Sequence, residues 1–390
     1  MRWTDLFRAY FREHTLASPQ LETFDHFTHV TLPELLRSQQ IVLREELVVA
    51  VIRFGNPRCL RPRDLGSCRP VFPSEAQTRG LSYDMDVEAD AFVTLYDRES
   101  RRVIQHRRVR ALHLFKCPVM VRSWQCNLTL HPEQEPASEL GGYFIIEGKE
   151  RALVTQERLH YNQVYTRPSK NKRYSFSAEV RSIKEGASYS VLTEVKLTQR
   201  GEEIVVANNY LLHDIPLLIL ILAWGLPAAR VWDLVELRAP GGAAPRPDLV
   251  AILKKNVAPF EHLTQEAAFA FIAERTVNKM EGGRQRAYAR HILDNDLFPH
   301  LGMLSDRQAH AAYLGRMASK LLLTYRGLRV ENDRDHIANK RLEMSGHLIG
   351  NLLNSLWRKC VKNAEQVLMK RPSPADLGRP KDLLASALQR

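Results

Sequence analysis

"LGGYFIIEGKERALVTQERL", residues 140–159, is the stretch on which the reading of the fold turns. Residues 143–146 are a run of β-formers, residues 147–150 read as a turn holding Gly148, and residues 151–156 read as the returning strand. The adjacent glycines Gly141 and Gly142 give the backbone freedom on entering this hairpin. Lys149, Arg151 and Arg158 stand around its turn and exit. A packing unit has no use for such charges, whereas a surface facing phosphates would use them. The stretch alone leaves both readings open.

Working outward, the pattern from residue 1 to about 40 is helical, with Leu6, Tyr10 and Phe11 on one face. From about 43 to 130 it turns to strand: "LVVAVIRF", "AFVTLYD" and "ALHLFKCPVMV" are short β-branched or aromatic runs bounded by Pro, Gly and Asp. Residues 98–110, "RESRRVIQHRRVR", carry six arginines and one glutamate, the pattern of a solvated hairpin that can also touch a polyanion. Strands resume with "RPSKNKRYSFSAEVRS", which opens on Arg167, Lys170, Lys172 and Arg173, and continue through "YSVLTEVKL" and "EEIVVANN". Residues 215–226, "IPLLILILAWGL", are too few to span a bilayer, which needs about twenty apolar residues, so a buried helix is expected, capped by Asp214 with Pro216 in its first turn. A Gly/Pro-rich surface loop is expected at 237–248. The clearest long helix covers 346–370: Leu348, Leu352, Leu356 and Cys360 repeat at four, followed one position on by Ile349, Leu353, Trp357 and Val361. This stripe is expected to face a core and to be left partly uncovered for a partner. "RPSPADLGRP" breaks it, and "KDLLASALQR" starts another helix.

The 390 residues suffice for two or three domains with unaided cores. With 56 Lys plus Arg against 44 Asp plus Glu, the formal charge is +12, which favours polyanionic partners through counterion release. Five cysteines, an odd number, argue against a secreted disulfide framework, and the eight-residue gaps in Cys59/Cys68 and Cys117/Cys126 do not suit a zinc knuckle. "MRWTDLFRAYFREH" has no apolar signal-peptide core, so an intracellular chain is expected. Phosphate-binding, dinucleotide-binding, metalloprotease and nucleophile-elbow signatures are all missing. In "NDRDH", residues 332–336, Asp333, Asp335 and His336 form the densest candidate set for a hard cation such as Mg²⁺. The competing reading is a charged loop whose acids pair with Arg334, Lys340 and Arg341.

Four blocks then occur in order: "GLSYDMDVEADAFVTL", "CPVMVRSWQCNL", "LGGYFIIEGKERALVTQERL" and "NDRDHIANKRLEMSGHLI". Together they resemble the N-terminal part of the second-largest, β-type subunit of multisubunit DNA-directed RNA polymerases, nearest its eukaryotic and large-DNA-virus branch. "LASPQLETFDHF", "ASYSVLTEVKL" and "HDIPLLILILAWGL" are similar to further family segments, and the resemblance fades at 98–110 and 237–248. The resemblance implies an α+β fold: a discontinuous protrusion domain at 1–159 and 341–390, with an α/β lobe inserted at 160–340. It implies that these line the DNA cleft, the protrusion beside the RNA–DNA hybrid and the lobe beside downstream DNA.

The family's subunit is about three times this length. The resemblance places the fork, hybrid-binding region, wall and zinc-bearing clamp part after residue 390, and the chain's last segment resembles the helix leading into the fork. It assigns no catalytic residue, metal or cofactor to this chain, because Mg²⁺ is held by the largest subunit in the assembled polymerase. The implied partners are that largest subunit, the remaining C-terminal part of the β-type subunit, template DNA and the RNA–DNA hybrid, with no membrane. The implied location is the nucleus, or a virion or cytoplasmic factory for a virus. Arg151 aligns with a basic family position facing the hybrid. Lys149, Arg158, Arg334, Lys340 and Arg341 are further phosphate candidates, and for the last three a salt bridge to Asp333 or Asp335 competes. The lobe cations Arg167, Lys170, Lys172 and Arg173 fit a solvated edge equally well. The alternative from another class is a stand-alone, non-enzymatic protein derived from this subunit that binds nucleic acid or a polymerase.

Overall fold

The computed structural model describes residues 3–369, apart from 45–47, 65, 137, 185–186, 188, 239–243, 280–282 and 303–306. The chain divides into two compact units, one discontinuous (Met1–Glu157 with Leu342–Arg390) and one inserted (Arg158–Arg341). The mixture of helix and antiparallel sheet makes the fold α+β.

The discontinuous unit opens with helices α1 (Trp3–Glu13), α2 (Ser18–His26) and α3 (Leu32–Ser38), the last two joined by a π-helical turn at Phe27–Thr31. The stripe on α1 buries nothing within this unit, and Leu6, Tyr10 and Phe11 are exposed. An antiparallel sheet follows in the order β1 (Gln40–Arg44), β2 (Val48–Leu60), β3 (Asp84–Asp97) and β4 (Val103–Pro118), with helix α4 (Pro73–Thr78) between β2 and β3. Period-two alternation puts Ile52, Phe54, Val87, Ala91, Val93 and Leu112 on the buried face. Both central ladders are interrupted by bulges, which leave room for a buried Asp90. The arginine-rich stretch is the tip of the β3–β4 hairpin and the first half of β4.

The decisive stretch does form a hairpin, but a tighter one than expected. Strands β5 (Phe144–Ile146) and β6 (Lys149–Arg151) are joined by Glu147 and Gly148 alone. Both turn residues have positive φ, 51° and 72°, as a two-residue turn with the strand twist requires. A side chain at Gly148 would also meet Gly80 Cα at 2.8 Å and Gln77 O at 2.9 Å. Lys149 and Glu150 therefore lie on the second strand rather than in the turn, and Arg151 is on that strand as expected. Residues 152–155 form no strand, and β7 covers Gln156–Leu159.

The inserted unit is built on a five-stranded antiparallel sheet: β8 (Val164–Pro168), β9 (Tyr174–Ser182), β10 (Val191–Thr198), β11 (Ile204–Asn208) and β12 (Ile215–Pro216). Helix α5 (Leu217–Ala223) is apolar all round and buries every residue. It begins two residues later than expected: Pro216 occupies the cap position, and Asp214 does not cap. Asp214 instead accepts a 2.5 Å hydrogen bond from the Tyr174 hydroxyl. Helices α6 (Val231–Leu234), α7 (Pro247–Val257), α8 (Gln265–Ala273), α9 (Gly283–His291) and α10 (Arg307–Tyr325) complete the unit, and α10 packs against β9. The expected loop at 237–248 ends at Pro247, the first residue of α7.

The chain then returns through β13 (Lys340–Glu343), which pairs with β7, to α11 (Ser345–Met369). The long helix is where expected, and of its two expected rows the one at 349, 353, 357 and 361 faces the core while the leucine row does not. Gly346, Gly350, Asn354, Trp357, Val361, Ala364 and Leu368 are buried, while Leu352 and Leu356 are 59% and 50% exposed, so the stripe is partly uncovered. The reason is close helix approach, because a Cβ at Gly346 would collide with the Thr23 carbonyl on α2. Trp357 packs edge-on to Phe54 at 5.2 Å. Truncating such a buried tryptophan costs about 3–5 kcal/mol. The expected break and final helix, 371–390, lie outside the described residues. Among the described residues no helix is long and apolar enough to cross a membrane.

Candidate nucleic-acid interface

The hairpin is two-faced. Phe144 and Ile145 on β5 are buried, and the Phe144 ring meets Phe24 edge-on at 5.5 Å. Backbone bonds from Tyr83 N to Ile145 O and from Val121 N to Tyr143 O, each 2.9 Å, fix this strand to the unit's core. Lys149, Glu150 and Arg151 on β6 are all exposed. Glu150 accepts a 2.9 Å hydrogen bond from Gln77 Nε2, which holds its carboxylate toward α4. Among the described residues neither Lys149 nor Arg151 has an ion-pair partner. Beyond the hairpin, Gln20 donates to Thr155 Oγ1 at 2.9 Å and accepts from Ser345 N at 3.0 Å, tying its exit to the start of α11. Two cations thus project from a rigid, core-anchored strand.

The other four candidates belong to the inserted unit, near His160 and Tyr165. Arg158 is half-buried and lies over the Tyr161 ring, 4.0 Å from its centroid. Arg341 is exposed and donates to the Ala338 and Lys340 carbonyls at 3.2 and 2.7 Å. Burial first, then the charges of Arg341 and Arg158, lowers the pKa of His160, so both guanidiniums sit close to that ring. Tyr165 has a raised pKa through burial, opposed by Arg341 and Arg334. Its hydroxyl donates toward the His160 and Asn339 carbonyls at 3.3 and 3.4 Å.

Arg334 is not paired with its sequence neighbours Asp333 and Asp335. It reaches Glu179 at 3.3 Å, and Arg167 reaches the same carboxylate at 3.0 Å. Glu179 is only 6% exposed, so its charge needs both partners. Arg167, one of the suggested edge cations, is therefore a structural counter-ion, whereas Lys170, Lys172 and Arg173 are exposed. Glu179 was not singled out from sequence; an acid inside the apolar run "SAEVRS" was the available signal. Lys340 lies 3.8 Å from Asp335, a contact of small value because that acid is 97% exposed.

The acidic loop does not fit a metal. Asp333 Oδ1 accepts the Asp335 N–H at 2.8 Å, and His336 Nδ1 accepts the Ala338 N–H at 3.1 Å. These lone pairs shape the turn. Among the described residues, no three His, Cys, Asp or Glu side chains converge to hold an ion. The cysteines are free thiols, with Cys126 Sγ 3.3 Å from the Tyr83 hydroxyl.

The profile of the RNA polymerase beta subunit family matches residues 15–388. DNA-directed RNA polymerase II subunit 2 of Arabidopsis thaliana is 26% identical over 403 residues, covering 93% of this chain and 33% of that protein. DNA-directed RNA polymerase subunit Rpo2N of Methanococcus vannielii is 28% identical over 379 residues, with 93% and 73% covered. The probable DNA-directed RNA polymerase II subunit RPB2 homolog of Invertebrate iridescent virus 6 is 26% identical over 432 residues, with 94% and 36% covered. The chain therefore spans about a third of the plant and viral relatives and most of the archaeal one.

Proposed function

Because the chain belongs to the RNA polymerase beta subunit family, we propose that it serves as the N-terminal portion of the second-largest subunit of a DNA-dependent RNA polymerase. In this reading the discontinuous unit is the protrusion and the inserted unit the lobe, and together they line the nucleic-acid cleft. The polymerase-subunit names of all three relatives favour this over a stand-alone regulatory protein. The observation that carries the interface is Lys149 and Arg151: two exposed cations on a strand anchored by its buried neighbour, with no ion-pair partner among the described residues. Such cations hold phosphates in place without reading sequence. Arg158, Lys340 and Arg341 extend the candidate surface, and Arg334 serves it less because Glu179 engages it.

The reaction belongs to the assembly. Mg²⁺ and the carboxylates that bind it are assigned to the largest subunit, and the rest of the β-type subunit is the second protein partner. The nucleus, or a viral factory, is the matching location. The test is co-expression with the largest subunit and the remaining β-type sequence from the same genome. Salt-resistant co-purification and template-dependent RNA synthesis, both lost when this chain is omitted, are expected. Full synthesis without the chain would overturn the proposal.

A further inference from the structure

Helix α10 buries most of its circumference: Leu314, Gly315, Ala318, Leu321 and Leu322 face the core of the inserted unit. What remains outward includes Arg316, exposed, and Lys320, half-buried one turn further on. The helix ends where Gly327 takes φ +67°, with Leu328 N bonded to Leu323 O and Gly327 N to Thr324 O, each 2.9 Å. This left-handed closure turns the chain back, so that Arg329 comes near the helix it has just left. The nearby acid Asp248 is engaged elsewhere, by Arg326 at 3.1 Å. Among the described residues no carboxylate pairs with Arg316, Lys320 or Arg329.

This arrangement is costly to the folded chain. A half-buried ammonium loses hydration and gains two like charges, and its pKa is lowered by burial first, then by Arg329 and Arg316. Structural cations are ordinarily paired when buried or swung into water when not. Here the helix stem holds Lys320 in place with no carboxylate partner among the described residues. The segment after Arg329 leads directly to Arg334, Lys340 and Arg341.

We propose that Arg316, Lys320 and Arg329 form a second phosphate-contact patch on the inserted unit, taking the phosphodiester backbone of bound nucleic acid. This rests on the reading given above and extends it to a surface none of the sequence motifs marked. A phosphate backbone is the fitting ligand because it presents closely spaced, permanently charged oxygens, and each neutralised phosphate releases counterions.

The full chain is titrated with a labelled DNA duplex and with an RNA–DNA hybrid of equal length, at several salt concentrations. Lys320→Met keeps the aliphatic stem, and Arg329→Gln keeps the polar length. Each is expected to weaken binding roughly three- to tenfold near 0.1 M salt and to lower the slope of log affinity against log salt by about one. A larger effect on one probe identifies which nucleic acid uses the patch. Lys320→Met is also expected to raise the melting temperature, because it removes an uncompensated charge. Unchanged slopes in both variants, a fall in melting temperature, or equal affinity for polyglutamate would overturn the patch. If wild type binds and Lys149→Gln weakens it while these variants do not, the patch fails and the interface reading stands. If wild type binds neither probe, the interface reading fails first.

Discussion

Among the described residues each unit buries one carboxylate between two arginines, and the two carboxylates do different work. Asp90 in the discontinuous unit is 1% exposed and takes Arg108 at 2.6 Å, Arg58 at 3.3 Å, Asn56 Nδ2 at 3.0 Å and the Ala111 N–H at 3.0 Å. All its partners lie on the strands flanking its own, beside the bulges, so it pins a local irregularity of the sheet. Glu179 in the inserted unit joins β8 to a loop far along the chain, through Arg167 and Arg334. Fewer bonds reach it, and one of its partners comes from a candidate interface. The contrast teaches that an arginine's availability to a ligand is decided by which acid the fold buries beside it.

The largest expected effect separates the two directly. Asp90→Ala leaves two arginines, an amide and a backbone N–H without their acceptor, and should destabilise the discontinuous unit by about 3 kcal/mol. Denaturant unfolding with hydrogen exchange should localise the loss to β2, β3 and β4. A change under about 0.5 kcal/mol would show that the bulges hold without it.

Acid should then distinguish the units. The His300 pKa is lowered to about 4, mainly by burial and then by the nearby His310, and its Nδ1 lies 2.6 Å from Ser182 Oγ. An unfolded histidine titrates near 6.5, so between these values the unfolded chain binds more protons and the inserted unit loses stability as pH falls. Asp90 has its pKa lowered, first by Asn56 and then by Arg108, so its contribution persists above the ordinary aspartate range and is lost only below it. Thermal melts between pH 7 and pH 4 should show the inserted unit weakening first. His300→Gln should flatten that slope, and an unaltered slope would assign the effect to another group.

Glu179→Gln should cost the inserted unit about 1–2 kcal/mol, since an acceptor remains while the charge is lost. It should also free Arg334 and steepen the salt dependence of nucleic-acid binding by up to about one. Stability loss without any change in binding would break the proposed link between neutralisation and availability.

The smallest effect on stability belongs to the hairpin. Lys149→Gln and Arg151→Gln should each leave the melt within about 0.5 kcal/mol of wild type, because both side chains are exposed and neither has an ion-pair partner among the described residues. Each should lower the binding slope by about one. A marked fall in stability would show that these cations hold the fold rather than a ligand.

Much of this was legible in the chain. Period-two runs gave β2, β3 and β10, and the apolar segment gave α5, because these patterns depend on neighbours two to four positions away. Gly141 and Gly142 adopt φ of 70° and 84°, as their place before the hairpin suggested. The hairpin itself was found, but not its register, because strand signals do not show that Glu147 accepts positive φ. The buried face of α11 was read only in part: Trp357 and Val361 of the second row are buried, while Leu352 and Leu356 of the first are exposed. Leucine spacing defines a hydrophobic row, but the glycines at 346 and 350 decide how closely α2 can approach.

What the sequence determined by itself is the kind of protein this is: an α+β, strongly basic chain whose ordered blocks resemble one family. Local patterning and composition carry the helices, strands and charge without reference to distant residues, and the resemblance of the ordered blocks implies the α+β fold. What only the tertiary structure decided is which charges remain available. Among the described residues Lys149 and Arg151 have no ion-pair partner, Arg334 is drawn to Glu179, and the Arg329 charge acts on Lys320. Electrostatic partnership acts over a few ångströms in space, and folding sets those distances between residues the sequence keeps far apart.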